Sequence, residues 1–445
     1  MAAIDGFLTA RDSGERLTPL PLVSFSTAPA ASPRNVRVDP DTRYQTMIGF
    51  GGAFTEAAAV TLATLPPDAQ DEIIRTYFDP VRGHGYSVCR THINSCDFSL
   101  KNYAYDETPG DEALEDFSID HDKETLIPLI KKAFRAAGRP FKLLASPWSP
   151  PAWMKTTGTM NGGGKLRPEY RAAWAAYYCR YIQAYRDQGI PIWALTVQNE
   201  PEAAQTWDSC EYTAEEERDF VRDFLGPALH TAGLADVKLC IWDHNRDRMY
   251  ERARTVLGDT RAANFVWGTA FHWYCGDYFE NVAKVHEAFP NKHLIFSEGC
   301  QEGGPHIGSW DTGERYGRSL IKDLNNWTEA WIDWNLVLDS TGGPNHQGNL
   351  CSAPVLIDTE RKEILYQSSY YYLGHFSRFI RPGAVRLHSA ADDDRLETAA
   401  FRNSDGKTTV VVMNRTEETL PFTLRRKDVA ALFSSPPHSI LTLCF

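Results

Sequence analysis

Two glutamates, Glu200 and Glu298, stand 98 residues apart, and each follows a short apolar run. Ile192–Val197 leads into Gln198-Asn199-Glu200-Pro201, and His293–Phe296 leads into Ser297-Glu298-Gly299-Cys300. Hydrolysis of a glycosidic bond needs such a pair: one carboxyl protonates the leaving oxygen, and the other attacks the anomeric carbon or activates water. A separation of ~5–5.5 Å permits direct attack with retention, and one of ~6.5–9.5 Å admits a water and inverts. Taken singly, a strand-end Glu reads equally well as a solvated or salt-bridged loop residue. The second Glu, Asn199 beside the first, and Trp148 and Trp334 at the ends of other runs shift the balance towards chemistry. Asn199 is either a turn-former before Pro201 or an amide holding a sugar hydroxyl near the reacting carbon.

Other chemistries find less support. Ser297 follows Phe296, so no GxSxG elbow forms. Gly49-Phe50-Gly51-Gly52-Ala53-Phe54 misses the GxGxxG spacing at Phe54. Gly162-Gly163-Gly164-Lys165 has Leu166 where a phosphate loop needs Ser or Thr, and Thr159 where it needs Gly. Cys300 could be a nucleophile, but a buried or site-lining thiol is the plainer reading. No His/Cys/Asp set has metal-ligand spacing, and His92 and His272 are too few for a metal-dependent hydrolase. No metal and no cofactor is expected.

These residues need a frame. Eight apolar runs alternate with helical stretches: Thr46–Phe50, Ser87–Ile93, Phe141–Ala145, Ile192–Val197, Val237–Trp242, Val266–Trp273, His293–Phe296 and Trp331–Leu336. Such runs suit strands buried on both faces of a parallel sheet. The pattern predicts an α/β fold, a (β/α)8 TIM barrel, whose functional groups lie at the C-terminal ends of the strands. Strands four and seven then hold the two Glu across the cleft from each other. The other ends carry Asp97 after the second run, Trp148 after the third, His272 and Tyr274 at the sixth and Trp334 at the eighth. A helix is expected over Pro168–Gln188, with the aromatic stripe Tyr170, Trp174, Tyr177, Tyr181 and Tyr185 packed on the barrel wall. Another is expected over Ala214–Phe224, with Thr213 and Glu216 in a capping box.

From Arg386 onwards the pattern changes to short strands and turns: Leu396–Phe401, Thr408–Asn414, Leu420–Leu424 and Ile440–Cys444, with Asp405-Gly406 as a hairpin turn. Asn35–Val38 could add a strand. We expect an attached β-sandwich built from the C-terminal segment and the N-terminal arm. The domains would be residues 1–44 (arm), 45–380 (barrel) and 381–445 (sandwich).

The net charge of −12 disfavours a nucleic-acid partner, since phosphate contacts need clustered Lys and Arg. No run of ~18 apolar residues suggests a membrane span. The first residues lack a basic head and apolar stretch, and nine scattered cysteines without CxxC pairs fit free thiols, so a cytoplasmic location is expected. Oligomeric state is left open. The expected ligand is a small-molecule or oligosaccharide β-glycoside.

The motifs GFGGAFTEAAA, INSCDFS, LLASPWSPPAWMKT, Asn199-Glu200-Pro201, ERDF then LGP, FHWY, FSEGC, GSWD, DWNL, GGPN and YLGHFSRFI, in this order, resemble glycoside hydrolase family 30, close to its glucocerebrosidase branch. The resemblance runs from about Gly49 to Phe445. It implies a (β/α)8 barrel with a β-sandwich and retaining hydrolysis of β-glucosides through a covalent glycosyl-enzyme. It implies Glu200 as general acid/base and Glu298 as nucleophile. Asp97, Trp148, Asn199, Trp334 and Asn349 fall at sugar-contacting positions, and Tyr274 where a tyrosine hydrogen-bonds the nucleophile. Arg90 and His272 fall where they support the two carboxylates, and Cys300 borders the site. The expectation for proton affinities is that Arg90 and Tyr274 keep Glu298 ionised, while aromatic burial and the Glu298 charge raise Glu200.

Two stretches depart from that branch. Glu202 to Cys210 is shorter and more polar than the apolar loop that helps hold the lipid aglycone, and His346 replaces a tryptophan in Asn345-His346-Gln347-Gly348-Asn349. Small soluble β-glucosides are therefore the favoured substrates, with glucosylceramide a further candidate. β-Xylosidase, β-fucosidase and β-1,6-glucanase activities, and from another class a non-catalytic sugar-binding barrel, are the alternatives.

Overall fold

A computed structural model describes residues 3–27 and 32–445. Eight parallel strands close into a barrel: β1 (Gly49–Phe54), β2 (Val88–Ile93), β3 (Lys142–Pro147), β4 (Ala194–Thr196), β5 (Lys238–Asn245), β6 (Gly268–His272), β7 (His293–Glu298) and β8 (Ala330–Asn335). Every expected run contributes a strand. Val88, Leu144, Ala194, Cys240, Ala270, Ile295, Ala330 and Ile332 meet inside as an apolar floor. Strand side chains repeat every second residue. Two residues above that floor stand Arg90, Ser146, Thr196, His272 and Ser297. The barrel is thus sealed below and polar above.

The largest boundary difference is β1. The first run is expected over Thr46–Phe50, but the strand is the glycine-rich stretch Gly49–Phe54, and Thr46 ends a strand of the other domain, Asn35–Thr46. The glycines allow a close approach: a Cβ on Gly51 would lie 1.7 Å from the Val88 carbonyl oxygen, and one on Gly52 2.7 Å from Leu336 Cδ2.

The aromatic helix is a short 3-10 turn, Pro168–Tyr170, followed by an α-helix, Arg171–Asp187, that buries Trp174, Tyr177, Tyr181 and Tyr185. The capping box at Thr213 is formed, but its helix ends at Phe220 and passes into a π-turn, Val221–Leu225.

The second domain is one ten-stranded sheet. Asn35–Thr46 lies between Val385–Ala391 and Leu420–Arg426, and Ala3–Ala10 pairs with Ser439–Cys444. Ile4, Val36, Leu387, Phe422 and Leu443 share one core although they come from distant strands along the sheet, so the sheet folds over as a sandwich. Helix Ser368–Ser377 joins it to the barrel, with His375 buried between the hydroxyls of Thr442 and Thr9 at 2.8 and 2.9 Å. Among the described residues no helix is long and apolar enough to cross a membrane.

Candidate active site

Glu200 lies four residues beyond the end of β4 and Glu298 ends β7, and the two strands are three positions apart round the ring rather than diametrically opposed. The barrel brings them together all the same. One oxygen of each carboxylate and one ring nitrogen of His272 lie within 4.8 Å of one another. Glu200 sits at φ 46°, a left-handed conformation costly for a non-glycine residue. The ladder hydrogen bonds there give way to Glu200 N–H donating to the Asp243 carbonyl at 3.0 Å. Register shifts interrupt the β5–β6 and β6–β7 ladders near their upper ends. Such bulges re-aim side chains at barrel rims.

Glu298 is held from two sides. Arg90, wholly buried, forms an ion pair with it, and the Tyr274 hydroxyl donates to its Oε1 at 2.9 Å. Arg90 also donates to Asn199 Oδ1 at 2.9 Å and to Asp243 Oδ2 at 2.7 Å. Its guanidinium carbon lies 4.7 Å from the Trp148 ring centre and 5.6 Å from that of Trp334. Those two indoles stack at 5.1 Å. Asp97 Oδ2 accepts from Asn349 at 3.0 Å and Asn345 at 3.2 Å. The Cys300 thiol is 3.5 Å from the Tyr274 hydroxyl. All eleven residues singled out in the sequence therefore converge at one rim: Arg90, Asp97, Trp148, Asn199, Glu200, His272, Tyr274, Glu298, Cys300, Trp334 and Asn349.

The sequence reading missed Asp243, His244 and Gln205. Asp243 is fully buried and takes four donors: Arg90 and Thr196 on Oδ2 (both 2.7 Å), Ser297 on Oδ1 at 2.5 Å, and His272 Nε2 facing Oδ1 at 3.0 Å. His244 Nε2 lies 4.0 Å from Glu200 Oε1, and Gln205 donates to Oε2 at 3.3 Å. The signal was available, because Asp243-His244-Asn245 ends the fifth strand, where the barrel rule directs attention. Strict alternation from Cys240 would have turned Trp242 inwards. Instead Trp242 and Asp243 both adopt positive φ, at 74° and 54°, and Asp243 becomes the inward residue.

The electrostatics correct two expectations. Burial alone would raise the Glu200 carboxyl, but His244, His272 and Gln205 outweigh it and hold the group down at about 2. The sequence pointed to aromatics and to His272 near Glu200, but not to the second imidazole, His244, nor to Gln205. Burial opposes a charged His272, yet Glu298, Asp243 and Glu200 raise it to about 9. Glu298, expected to be held low by Arg90 and Tyr274, is instead pushed above the usual carboxylate value by burial, with His272 and Arg90 opposing. Asp97 is pushed by burial up to about 7 despite its amide donors. Glu200, His272 and Glu298 have the spacing of a metal-ligand set. Both His272 nitrogens, however, already face carboxylates, and Arg90 occupies Glu298, so a cation would have to break these ion pairs.

A barrel of this architecture with two facing carboxylates, stacked indoles and an Asn beside one carboxylate defines a glycoside hydrolase. The chain belongs to glycosyl hydrolase family 30: residues 47–380 match its TIM-barrel domain and residues 383–443 its β-sandwich domain. The chain is 38% identical to the lysosomal acid glucosylceramidase of Mus musculus over 425 residues, which is 91% of this chain and 82% of that protein. The crystal structure of SrfJ from Salmonella typhimurium superposes with a TM-score of 0.96 at 38% identity, covering 100% of this chain and 99% of SrfJ. A solved endo-β1,6-glucanase superposes at 0.90 with 30% identity, covering 100% of this chain and 99% of its own.

Proposed function

We propose that this glycosidase is a retaining β-glucosidase acting by double displacement on β-glucosides with polar, hydroxylated leaving groups. The observation that carries the reading is the approach of the Glu200 and Glu298 oxygens to within 4.8 Å, which fits direct attack better than an interposed water. Glu298 attacks the anomeric carbon as Glu200 protonates the departing oxygen. Glu200 then takes a proton from water, and the resulting hydroxide cleaves the glycosyl ester. Trp148, Trp334, Asp97, Asn349 and Asn199 surround the sugar and fix its hydroxyls. Such contacts accelerate the reaction when they tighten as oxocarbenium character develops.

The leaving-group side supports the polar preference. Gln205 touches Glu200 directly. His346, the residue in place of a tryptophan, pairs at 2.9 Å with Asp208, which is buried and also accepts from Ser95 and Asn102. This join ties the loop after Glu200 to the loop carrying Asn349 with ions rather than apolar side chains. The solved endo-β1,6-glucanase, at 30% identity, favours a β-1,6-linked glucan as the second reading. The nine free thiols support a reducing compartment such as the cytoplasm.

A panel of aryl β-glucoside, xyloside, fucoside and galactoside, with gentiobiose and detergent-dispersed glucosylceramide, tests the reading. The β-glucosides should rank first, with gentiobiose above glucosylceramide. His346→Trp should move that ratio towards the lipid. Glucosylceramide preferred by the unmodified enzyme, and indifferent to His346→Trp, would refute the polar leaving-group site.

A further inference from the structure

Asp243 neither attacks nor protonates in the double displacement, yet it is the most heavily hydrogen-bonded carboxylate of the site. His272 lies between it and Glu200. Nε2 faces Asp243 Oδ1 at 3.0 Å, and Nδ1 faces Glu200 Oε1 at 3.2 Å. A neutral imidazole carries one N–H, so one of these contacts would set two lone pairs against each other. In the resting enzyme the clamp therefore holds two protons, one on Nε2 towards Asp243 and one on the line between Nδ1 and Oε1; loss of the second leaves Nδ1 and Glu200 ready to take a proton back. The other donors to Asp243, from Arg90, Thr196 and Ser297, keep it ionised. His272 and Asp243 are fully buried, so the imidazole exchanges its second proton through Glu200, which is 9% exposed, rather than directly with bulk water. The other ionisable groups facing His272 are Glu298, His244 and Tyr274, the two rings at 6.5 and 6.0 Å.

We propose that His272 stores the proton that Glu200 delivers, with Asp243 as the anion that keeps the imidazole charged, so that acid/base function belongs to a Glu200–His272–Asp243 chain. The proposal rests on the reading of Glu200 as acid/base. In the first displacement the Nδ1–H bond of His272 breaks and an Oε1–H bond forms on Glu200. That proton passes to the glycosidic oxygen as its bond to the anomeric carbon breaks and Glu298 bonds to that carbon. The alcohol leaves neutral, and His272 is left neutral with Nε2–H on Asp243. In the second displacement Glu200 removes a proton from water and returns it to Nδ1, and the hydroxide formed breaks the ester to Glu298. Counting Glu200, Glu298, Asp243, Arg90 and His272, the pocket keeps one net negative charge in both resting states, so no uncompensated charge is buried midway. His272 and Asp243 are positioning residues here, since neither touches the sugar. The raised proton affinity of His272 agrees with this role.

The test is the alkaline limb of kcat/KM for a phenyl β-glycoside, whose poor leaving group needs the proton. Asp243→Asn should move that limb down by about 1–2 pH units, because an opposite charge is removed from His272. His272→Gln, which keeps a donor towards Glu200 but cannot store the proton, should move it down at least as far. Both variants should slow the phenyl glycoside by ~10–100-fold and a dinitrophenyl glycoside far less. A limb that stays at the wild-type pH in both variants, with the two substrates slowed equally, would overturn the proton chain and leave a purely structural role. Labelling of wild-type Glu298 by a 2-fluoro glycoside separates the layers: if it fails, the double-displacement reading has failed, and not the chain alone. Circular dichroism identifies a variant that does not fold, and the other variant then decides.

Discussion

Tyr274→Phe removes one hydroxyl and keeps the ring, which packs against the apolar cluster that includes Cys300 and Trp334. The lost hydrogen bond is the 2.9 Å donation to Glu298 Oε1. Hydrogen bonds to charged groups contribute about 1.5–3 kcal/mol. At about 1.4 kcal/mol per pH unit, the Glu298 carboxyl should rise by about 1–2 units. The sign follows from which form is favoured: the hydroxyl stabilises the ionised carboxylate, so its loss favours the protonated form. The proposed attack by Glu298 needs the ionised form, so the acidic limb of kcat/KM should move to higher pH by that amount. The two chemical steps should respond differently. In the proposed double displacement, formation of the glycosyl-enzyme consumes the Glu298 charge, whereas its hydrolysis regenerates that charge without its donor. Hydrolysis should therefore slow by about tenfold or more. An activated aryl glycoside followed in stopped flow should show a burst larger than the wild type's. An unmoved acidic limb with no extra accumulation would refute the claim that Tyr274 acts through the charge on Glu298.

Glu200→Gln should slow phenyl glycosides far more than dinitrophenyl glycosides, which leave with little protonation; equal slowing counts against the acid role. Dialysis against a chelator should leave activity intact, because Arg90 and His272 already neutralise the carboxylates; loss restored by a divalent ion would contradict this. Stability should fall in mild acid. Burial holds His375 down at about 3, against about 6.5 unfolded, so its contribution is complete above pH 6.5 and is lost between there and about 3. His84, also held down at about 3, acts in the same window. In His375→Gln the unfolding free energy should decline less steeply with falling pH, by up to about 1.4 kcal/mol per unit; identical slopes in urea titrations would refute it.

The barrel and its two glutamates were legible because strands buried on both faces must read as continuous apolar runs, and polar residues at their ends then stand out. Where the backbone departs from regular strand geometry, that legibility fails. The glycines of β1 read as a loop because their function is to let Val88 and Leu336 come close, a contact between distant segments. Asp243 was overlooked because positive φ at Trp242 and Asp243 adds a residue to the inward count, and alternation cannot foresee that. The strand Ala3–Ala10 was not foreseen either; its pairing with Ser439–Cys444 spans the whole chain. The proton affinity of Glu200 was misjudged for a related reason. Its aromatic neighbours adjoin the strand ends already identified, while His244 lies on the strand whose end was not read.

The most direct test of the central claim is covalent. An activated 2-deoxy-2-fluoro β-glucoside, or the preferred aryl analogue, should inactivate the enzyme with one label per chain, on the peptide containing Ser297-Glu298-Gly299 and on Glu298 itself. Glu298→Gly with azide should then yield the α-glycosyl azide. A label on any other carboxylate, or a Glu298→Gly enzyme that turns over like the wild type, would contradict the account.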